Sequence, residues 1–329
     1  MRVSTFVLTM VSLPGTPQIQ NIIPSSYFQT STWAAPGIGL FASILFLLIG
    51  WGWIGRRAKQ LQAQGEGYGE HGSDGRKKRN PKINIPWYWA MVPLLMVIVI
   101  NVVLSNPFGW EWGFHWNEDS LAAFGPLKLS LLASQVGKVS AIWSISVALI
   151  LSSIAAAIIG RKRLKVTDGF LPTVNYAALS SGSAALNVAS GYAFGCVITA
   201  MPGFAPVTEW LVGIAASFGP LLSAVITTNI MCGITGSASG GLTIALSALG
   251  DQWAAMAIAA GIPLEVLHRI VAVASVGIDP VPHCGALVTL LAICGLTHNE
   301  SYFDIAVIMG LKFLVPFLCI LFYMLTGIC

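Results

Sequence analysis

The segment from residue 270 to residue 296 constrains the fold most, because it is apolar enough to cross a bilayer yet polar at its centre. Its middle carries Asp279, Pro280, Pro282 and His283. Each proline lacks the N–H that a helix needs, so the carbonyl group four residues earlier loses its helical partner. An acid and an imidazole at mid-membrane depth are costly and usually functional. The pattern predicts two half-helices around an unwound polar centre, which membrane proteins tolerate only inside protein or along a cavity.

The composition places most of the chain in a membrane. Of its 329 residues 55% are hydrophobic and only 9% are charged, whereas about 25% of residues are charged in a typical soluble domain. Most basic residues fall in two short segments, so the positive-inside rule predicts that loops 55–85 and 160–168 are cytoplasmic. The net charge of +4 therefore does not indicate nucleic acid as a partner. We predict an all-α polytopic membrane protein surrounded by lipid.

Five apolar segments are long enough to span the bilayer without interruption: 33–54, 86–105, 138–159, 170–200 and 301–327. On the last of them we interpret Lys312 as a lysine that snorkels towards the interface, and Asp304 as an interfacial acid. Residues 251–268 are mildly amphipathic and predict an interfacial connector.

The segment 221–249 has a different pattern, because two apolar arms flank the run GSASGG at 236–241. Its second arm, 242–249, is too short to cross a membrane, which needs about 20 residues. We therefore predict a re-entrant hairpin whose tip is the small-residue run. Small residues let a ligand approach the backbone, and the N–H groups that open the second arm can bind an anion. A plain tight turn or a packing motif is the alternative.

A second break is predicted at residues 14–21, where two prolines and a glycine precede three side-chain amides. Its final proline and hydrogen-bonding residue match those at Pro282 and His283, and the two segments cross in opposite directions, as inverted repeats require. A surface turn is the other interpretation. The predicted organisation is a remnant of a first repeat (1–54), the loop 55–85, and a second repeat (86–329) with hairpin 221–249 and broken helix 269–296. Because too few residues precede the first break to form a matching hairpin, we expect a chain truncated at its N-terminus; an unusual half-sized architecture is the alternative.

Several motifs in order resemble those of the gluconate:proton symporter (GntP-type) family, which belongs to a larger ion transporter superfamily: LPGTPQIQN (13–21), GITGSASGG (233–241), LHR (267–269), DPVPHCGA (279–286) and GLTHNESY (295–302). The resemblance implies an inverted-repeat transporter of the cell inner membrane. It also implies uptake of gluconate or a related small hydroxy-carboxylate, such as 3-hydroxybutyrate, together with protons. Two departures stand out: the family's further spans before the first motif are absent, and Cys284 replaces an asparagine found in many members.

Eleven residues form the predicted substrate site: Thr16, Gln18, Gln20, Asn21, Gly236, Ser237, Ser239, Gly240, Arg269, Asp279 and His283. Hairpin hydroxyl and N–H groups would hold the substrate carboxylate, and the amides of the first break would hold its hydroxyls. We expect the proton on His283, since imidazoles change charge near neutral pH, or on Asp279 if burial favours its protonated form. Arg269 either binds the carboxylate or pairs with Glu265 one turn earlier.

Two other function classes remain open in the sequence. A membrane-embedded enzyme could use Asp279 and His283 as an acid–base pair, but the chain has no activated nucleophile, cofactor motif or metal cluster, so neither an enzyme nor a cofactor is expected. A non-transporting fragment, or half of a transporter that pairs with another chain, is the second alternative, and a homo-oligomer is possible.

Overall fold

A computed structural model describes residues 10–65, 86–117, 136–166, 170–294 and 296–329. In these ranges the chain forms two short 3-10 helices, Met10–Ser12 and Pro202–Phe204, and ten α-helices without a β-strand. The α-helices are α1 (Ile19–Phe28), α2 (Pro36–Ala63), α3 (Trp87–Ser105), α4 (Val136–Val166), α5 (Phe170–Ala200), α6 (Ala205–Thr235), α7 (Ala238–Ala259), α8 (Leu264–Ala274), α9 (Gly285–Cys294) and α10 (His298–Thr326).

Six helical segments among the described residues are long and apolar enough to cross a membrane. They are Pro36–Ala63, Trp87–Ser105, Val139–Arg161, Phe218–Thr235, Ala238–Ala259 and His298–Thr326. Their outward faces carry many exposed large apolar side chains, including Leu48, Leu94 and Ile150, as expected of helices that contact lipid. The prediction of an all-α polytopic membrane protein is confirmed.

Two helices extend into the segments predicted to be loops. α2 runs to Ala63, so the predicted loop 55–85 begins later than expected; residues 66–85 lie outside the described part of the chain. The extension is held by Arg57, whose guanidinium lies 3.1 Å from the Asp304 carboxylate on α10. α4 similarly continues to Val166, across most of the predicted loop 160–168. Polar residues can prolong a helix beyond the apolar span when its backbone hydrogen bonds continue, so hydropathy alone misplaces such ends.

Helices α6 and α7 form a hairpin. α6 is interrupted at Gly219 (φ 78°, ψ 174°), next to Pro220, so the first arm comprises residues 220–235. The turn lies at Gly236 (φ 59°), and the second arm is all of α7. The prediction that this arm ends at residue 249, before an interfacial connector, is wrong. The helix continues because Trp253 is buried against the first arm, where its Nε1–H donates to Ser223 Oγ at 3.1 Å.

The helix α8 lies at the centre of the core. Every residue from Val266 to Ala274 is buried, and the surrounding cluster draws on α1, α2, α6, α7 and α10. After Ala274 the chain leaves helical geometry until Gly285, the segment in which Pro280 and Pro282 predict a break. The irregular segment 13–18 before α1 is the counterpart at the first predicted break. The inverted-repeat relation between the two halves stays a prediction.

Candidate functional site

The predicted site residues lie in two clusters. The first, which we call the tip cluster, joins the hairpin turn to the second break and comprises Gly236, Ser237, Ser239, Gly240, Asp279 and His283. The second, which we call the latch cluster, joins the first break to α8 and comprises Thr16, Asn21 and Arg269. The remaining two predicted residues, Gln18 and Gln20, flank the start of α1; Gln18 is exposed and Gln20 is half-buried.

The hairpin turn is shaped by Gly236 and Ser237. Gly236 ends α6 in the left-handed conformation (φ 59°), which glycine adopts without strain. Ser237 then caps α7, because its Oγ accepts the Gly240 N–H at 3.2 Å. The Ser239 hydroxyl lies 3.5 Å from the Ser237 hydroxyl. Two hydroxyl groups and the positive end of a helix therefore meet at the turn.

The second break packs against this turn through His283. The Nε2–H of His283 donates to the Ile234 carbonyl at 3.2 Å. The same ring faces Gly236 so closely that a Cβ on this glycine would lie 2.8 Å from its Cδ2 atom. The His283 side chain is otherwise exposed. Ile278 of the break also packs on Gly233 of the first arm. The hairpin turn and the break thus form one structural unit, although Gly236 and Ile278 are 42 residues apart in the sequence.

Asp279 forms an ion pair that the sequence interpretation missed. Its Oδ1 lies 3.3 Å from Lys312 Nζ, and the side chains are 14% and 0% exposed, respectively. Lys312 is the middle residue of α10, so the interpretation that it snorkels to the interface is wrong. The only sequence signal was a lysine in the centre of an apolar span, where a charge is rare unless it is paired. Asp304 accepts hydrogen bonds from Trp53 and Arg57 of α2, and its interfacial position stays a prediction.

Arg269 holds the first break against α8. Its guanidinium is fully buried and donates to the carbonyl groups of Ala34 (2.6 and 2.9 Å) and Thr32 (3.1 Å) and to Asn21 Oδ1 (2.8 Å). Longer bonds of 3.3 and 3.4 Å reach the two carbonyls of the preceding turn, Ser12 and Val11. In the described part of the chain Arg269 forms no ion pair with Glu265, which is exposed. The alternative of an i,i+4 pair is therefore wrong.

Asn21 and its neighbours complete the latch. The Asn21 amide donates to the carbonyls of Thr16 and Thr32, each at 3.0 Å. His268 Nε2–H donates to the Asn21 carbonyl at 3.1 Å, which leaves its Nδ1 to accept the Thr30 hydroxyl at 2.6 Å. These bonds occupy the Asn21 side chain and the Thr16 carbonyl in holding the backbone.

Two polar residues of the latch were missed in the sequence. His268 and Asn101 are both fully buried, and Asn101 Nδ2 donates to the Gly15 carbonyl at 3.0 Å and to Thr32 Oγ1 at 3.2 Å. For His268 a signal existed, since it stands beside Arg269 in the otherwise apolar run 266–274. For Asn101 only its isolation in an apolar span could have pointed to a polar partner.

The fold and the two clusters define a polytopic membrane protein with a helical hairpin and two interrupted segments, one packed against the hairpin turn and the other against α8. The chain is 38% identical over 338 aligned residues to a Bacillus subtilis (strain 168) protein named uncharacterized transporter YxjC, and the match covers 98% of this chain and 68% of that relative. The chain therefore belongs to the same transporter family. No family model matches it, and no solved structure does. Membership of the GntP-type family stays a prediction.

Proposed function

We propose that this protein is a secondary transporter that takes up gluconate or a related small hydroxy-carboxylate together with protons across the cell inner membrane. The observation that carries the proposal is the contact between the hairpin turn and the second break, made by His283 on Ile234 and Gly236. Secondary transporters often build their sites from interrupted helices near the middle of the membrane. Membership of a transporter family supports transport in general. The identities of the substrate and of the coupled ion are what this proposal adds.

The substrate carboxylate is proposed to bind at the start of α7. The Ser237 oxygen accepts the Gly240 N–H, so its own O–H stays available to donate to an anion. Ser239 supplies a second hydroxyl 3.5 Å away. The positive end of the helix favours a negative ligand, although it contributes only about 0.3–1 kcal/mol at exposed sites.

The hydroxyl groups of the substrate are proposed to contact the amides of Gln18 and Gln20, which are exposed and half-buried. Arg269 and Asn21 are excluded from this set, because their polar groups hold the first break. Their proposed role is to keep the backbone of that break in position. Thr16 belongs with them, since its side chain is buried and its carbonyl accepts the Asn21 amide.

The test is uptake by the purified protein in liposomes with an imposed pH gradient, acidic outside. Labelled gluconate and 3-hydroxybutyrate should accumulate, and a protonophore should abolish the accumulation. The double variant Ser237→Ala/Ser239→Ala removes both hydroxyls. Each neutral hydrogen bond contributes about 0.5–1.5 kcal/mol, so the substrate affinity should fall by about tenfold or more.

Ser247→Ala is the matched control. Ser247 lies on the same helix, but its hydroxyl bonds to Tyr27 Oη at 2.8 Å, away from the turn. The substrate affinity of Ser247→Ala should stay close to that of the wild type. An unchanged affinity in the double variant would refute the assignment of the hairpin turn. A wild-type protein that accumulates neither acid under a pH gradient would refute the proposed substrate class.

A further inference from the structure

In the Asp279–Lys312 ion pair, the Lys312 ammonium is shielded from bulk water and the Asp279 carboxylate is slightly exposed. Lys312 is 0% exposed and sits in the middle of a membrane-spanning helix, whereas Asp279 is 14% exposed within the second break. A buried cation without a counter-charge is strongly disfavoured. The Asp279 carboxylate therefore balances the positive charge of Lys312 in this conformation. If the carboxylate is neutralised, another anion must take its place beside the ammonium group.

The lysine has capacity for such an anion. Its ammonium group has three N–H donors, and Asp279 Oδ1 accepts one of them at 3.3 Å. Among the described residues, the other titratable groups that interact with the charge of Asp279 are the thiols of Cys232 on the first hairpin arm and Cys284, the last residue of the break. His283 is four residues further along the break and faces the Ile234 carbonyl instead.

Resting on the proposed function, we infer that Asp279 carries the co-transported proton and that Lys312 is the counter-ion of the same substrate carboxylate that the Ser237 and Ser239 hydroxyls contact. Binding of the proton and the substrate thus replaces one counter-ion of the lysine by another. A proton adds to a carboxylate oxygen of Asp279 and breaks the ion pair. The ammonium of Lys312 then pairs with the carboxylate of the incoming hydroxy acid. Release of the substrate and of the proton on the other side restores the original pair.

The net charge of the site accounts for the coupling. Before binding, Asp279 and Lys312 carry −1 and +1; afterwards the neutral acid, the ammonium and the substrate anion again add to zero. Either partial state, with only the proton or only the anion bound, leaves an unbalanced buried charge, which is disfavoured. The exchange therefore binds one proton for each monocarboxylate, and it assigns the proton to Asp279 rather than to His283.

The experiment compares two assays in liposomes: accumulation driven by a pH gradient, and exchange of labelled for unlabelled substrate at equal pH. Asp279→Asn resembles the protonated acid, so exchange should persist while accumulation and substrate-dependent proton entry are lost. Lys312→Met should lose both, with an affinity weakened by about 30-fold or more, as for removal of one partner of a buried charge pair. Asp304→Asn is the matched control, because Asp304 lies on the same helix but pairs with Arg57.

The outcomes separate this inference from the proposed function. Proton-coupled accumulation by Asp279→Asn, or a wild-type affinity in Lys312→Met, would overturn the inference while leaving symport intact. Failure of the wild type to transport any of the acids would overturn both. If a single variant does not fold, as judged by size-exclusion chromatography, the neutral double variant D279N/K312M decides. It should fold and be inactive in both assays, and wild-type transport by it would reject the role of the pair.

Discussion

Replacement of Arg269 by methionine should loosen the first break from α8 and destabilise the whole protein. Methionine is an unbranched apolar side chain without charge, so the change removes the guanidinium group together with its hydrogen bonds. The guanidinium is fully buried and its acceptors come from a segment 235 to 258 residues away in the chain. No other described side chain contacts as many carbonyl groups of that segment, so nothing in the described structure replaces it.

The expected loss of stability depends on which hydrogen-bond acceptors Arg269→Met would leave without a donor. The Thr32 carbonyl retains Asn21 Nδ2–H as a donor at 3.0 Å. Asn21 Oδ1 retains only a share of His268 Nε2–H, at 3.3 Å, because the same hydrogen is donated to the Asn21 carbonyl at 3.1 Å. The Ala34 carbonyl loses bonds of 2.6 and 2.9 Å. A hydrogen bond from a charged donor contributes about 1.5–3 kcal/mol, and the two bonds to Ala34 are short. Removing a buried cation offsets part of this loss, so we expect a net destabilisation of about 3 kcal/mol.

The assay is unfolding of the purified variant in detergent, with wild type and Arg57→Met measured alongside. Arg57 is the matched control because its ion pair with Asp304 is partly exposed, at 32% and 16% of the side chains, and such pairs contribute about 0–1 kcal/mol. Arg269→Lys should fall between the two, since an ammonium reaches fewer acceptors than a guanidinium. If Arg269→Met were no less stable than Arg57→Met, the assignment of Arg269 as the residue that holds the break would be refuted.

Two further substitutions test the hairpin and the latch by the same unfolding measurement. Gly241→Ala should disrupt the hairpin, because its Cβ would overlap the backbone of Cys232 on the facing arm. Gly310→Ala is the control, since the space around this glycine is open and the change should be nearly neutral. Equal stability of the two variants would contradict the close approach of the arms. Asn101→Ala should lower the free energy of unfolding by about 1–3 kcal/mol, since it leaves the buried Gly15 carbonyl without its donor at 3.0 Å. A loss below about 0.5 kcal/mol would show that this bond is dispensable.

The local elements of the fold were predictable because their signals lie within a few residues of each other. Pro280 and Pro282 remove helical hydrogen bonds wherever they stand, and the helix is indeed interrupted from 275 to 284. Gly236 permits the left-handed turn between the hairpin arms in the same local way. Helix ends were predicted less well, because apolar runs mark the part of a helix inside the membrane and not the polar turns that extend it.

The sequence by itself determined the class of protein, the hairpin turn and the positions of the two breaks, since apolar length and backbone chemistry are properties of short segments. Only the tertiary structure decided what the charged residues do. Arg269 was predicted either to bind the substrate carboxylate or to pair with Glu265, and in the structure it holds backbone carbonyls. Lys312 was predicted to reach the interface and instead pairs with Asp279. The reason is physical: a buried charge must find its counterpart in space, and these counterparts lie 33 to 258 residues away in the chain.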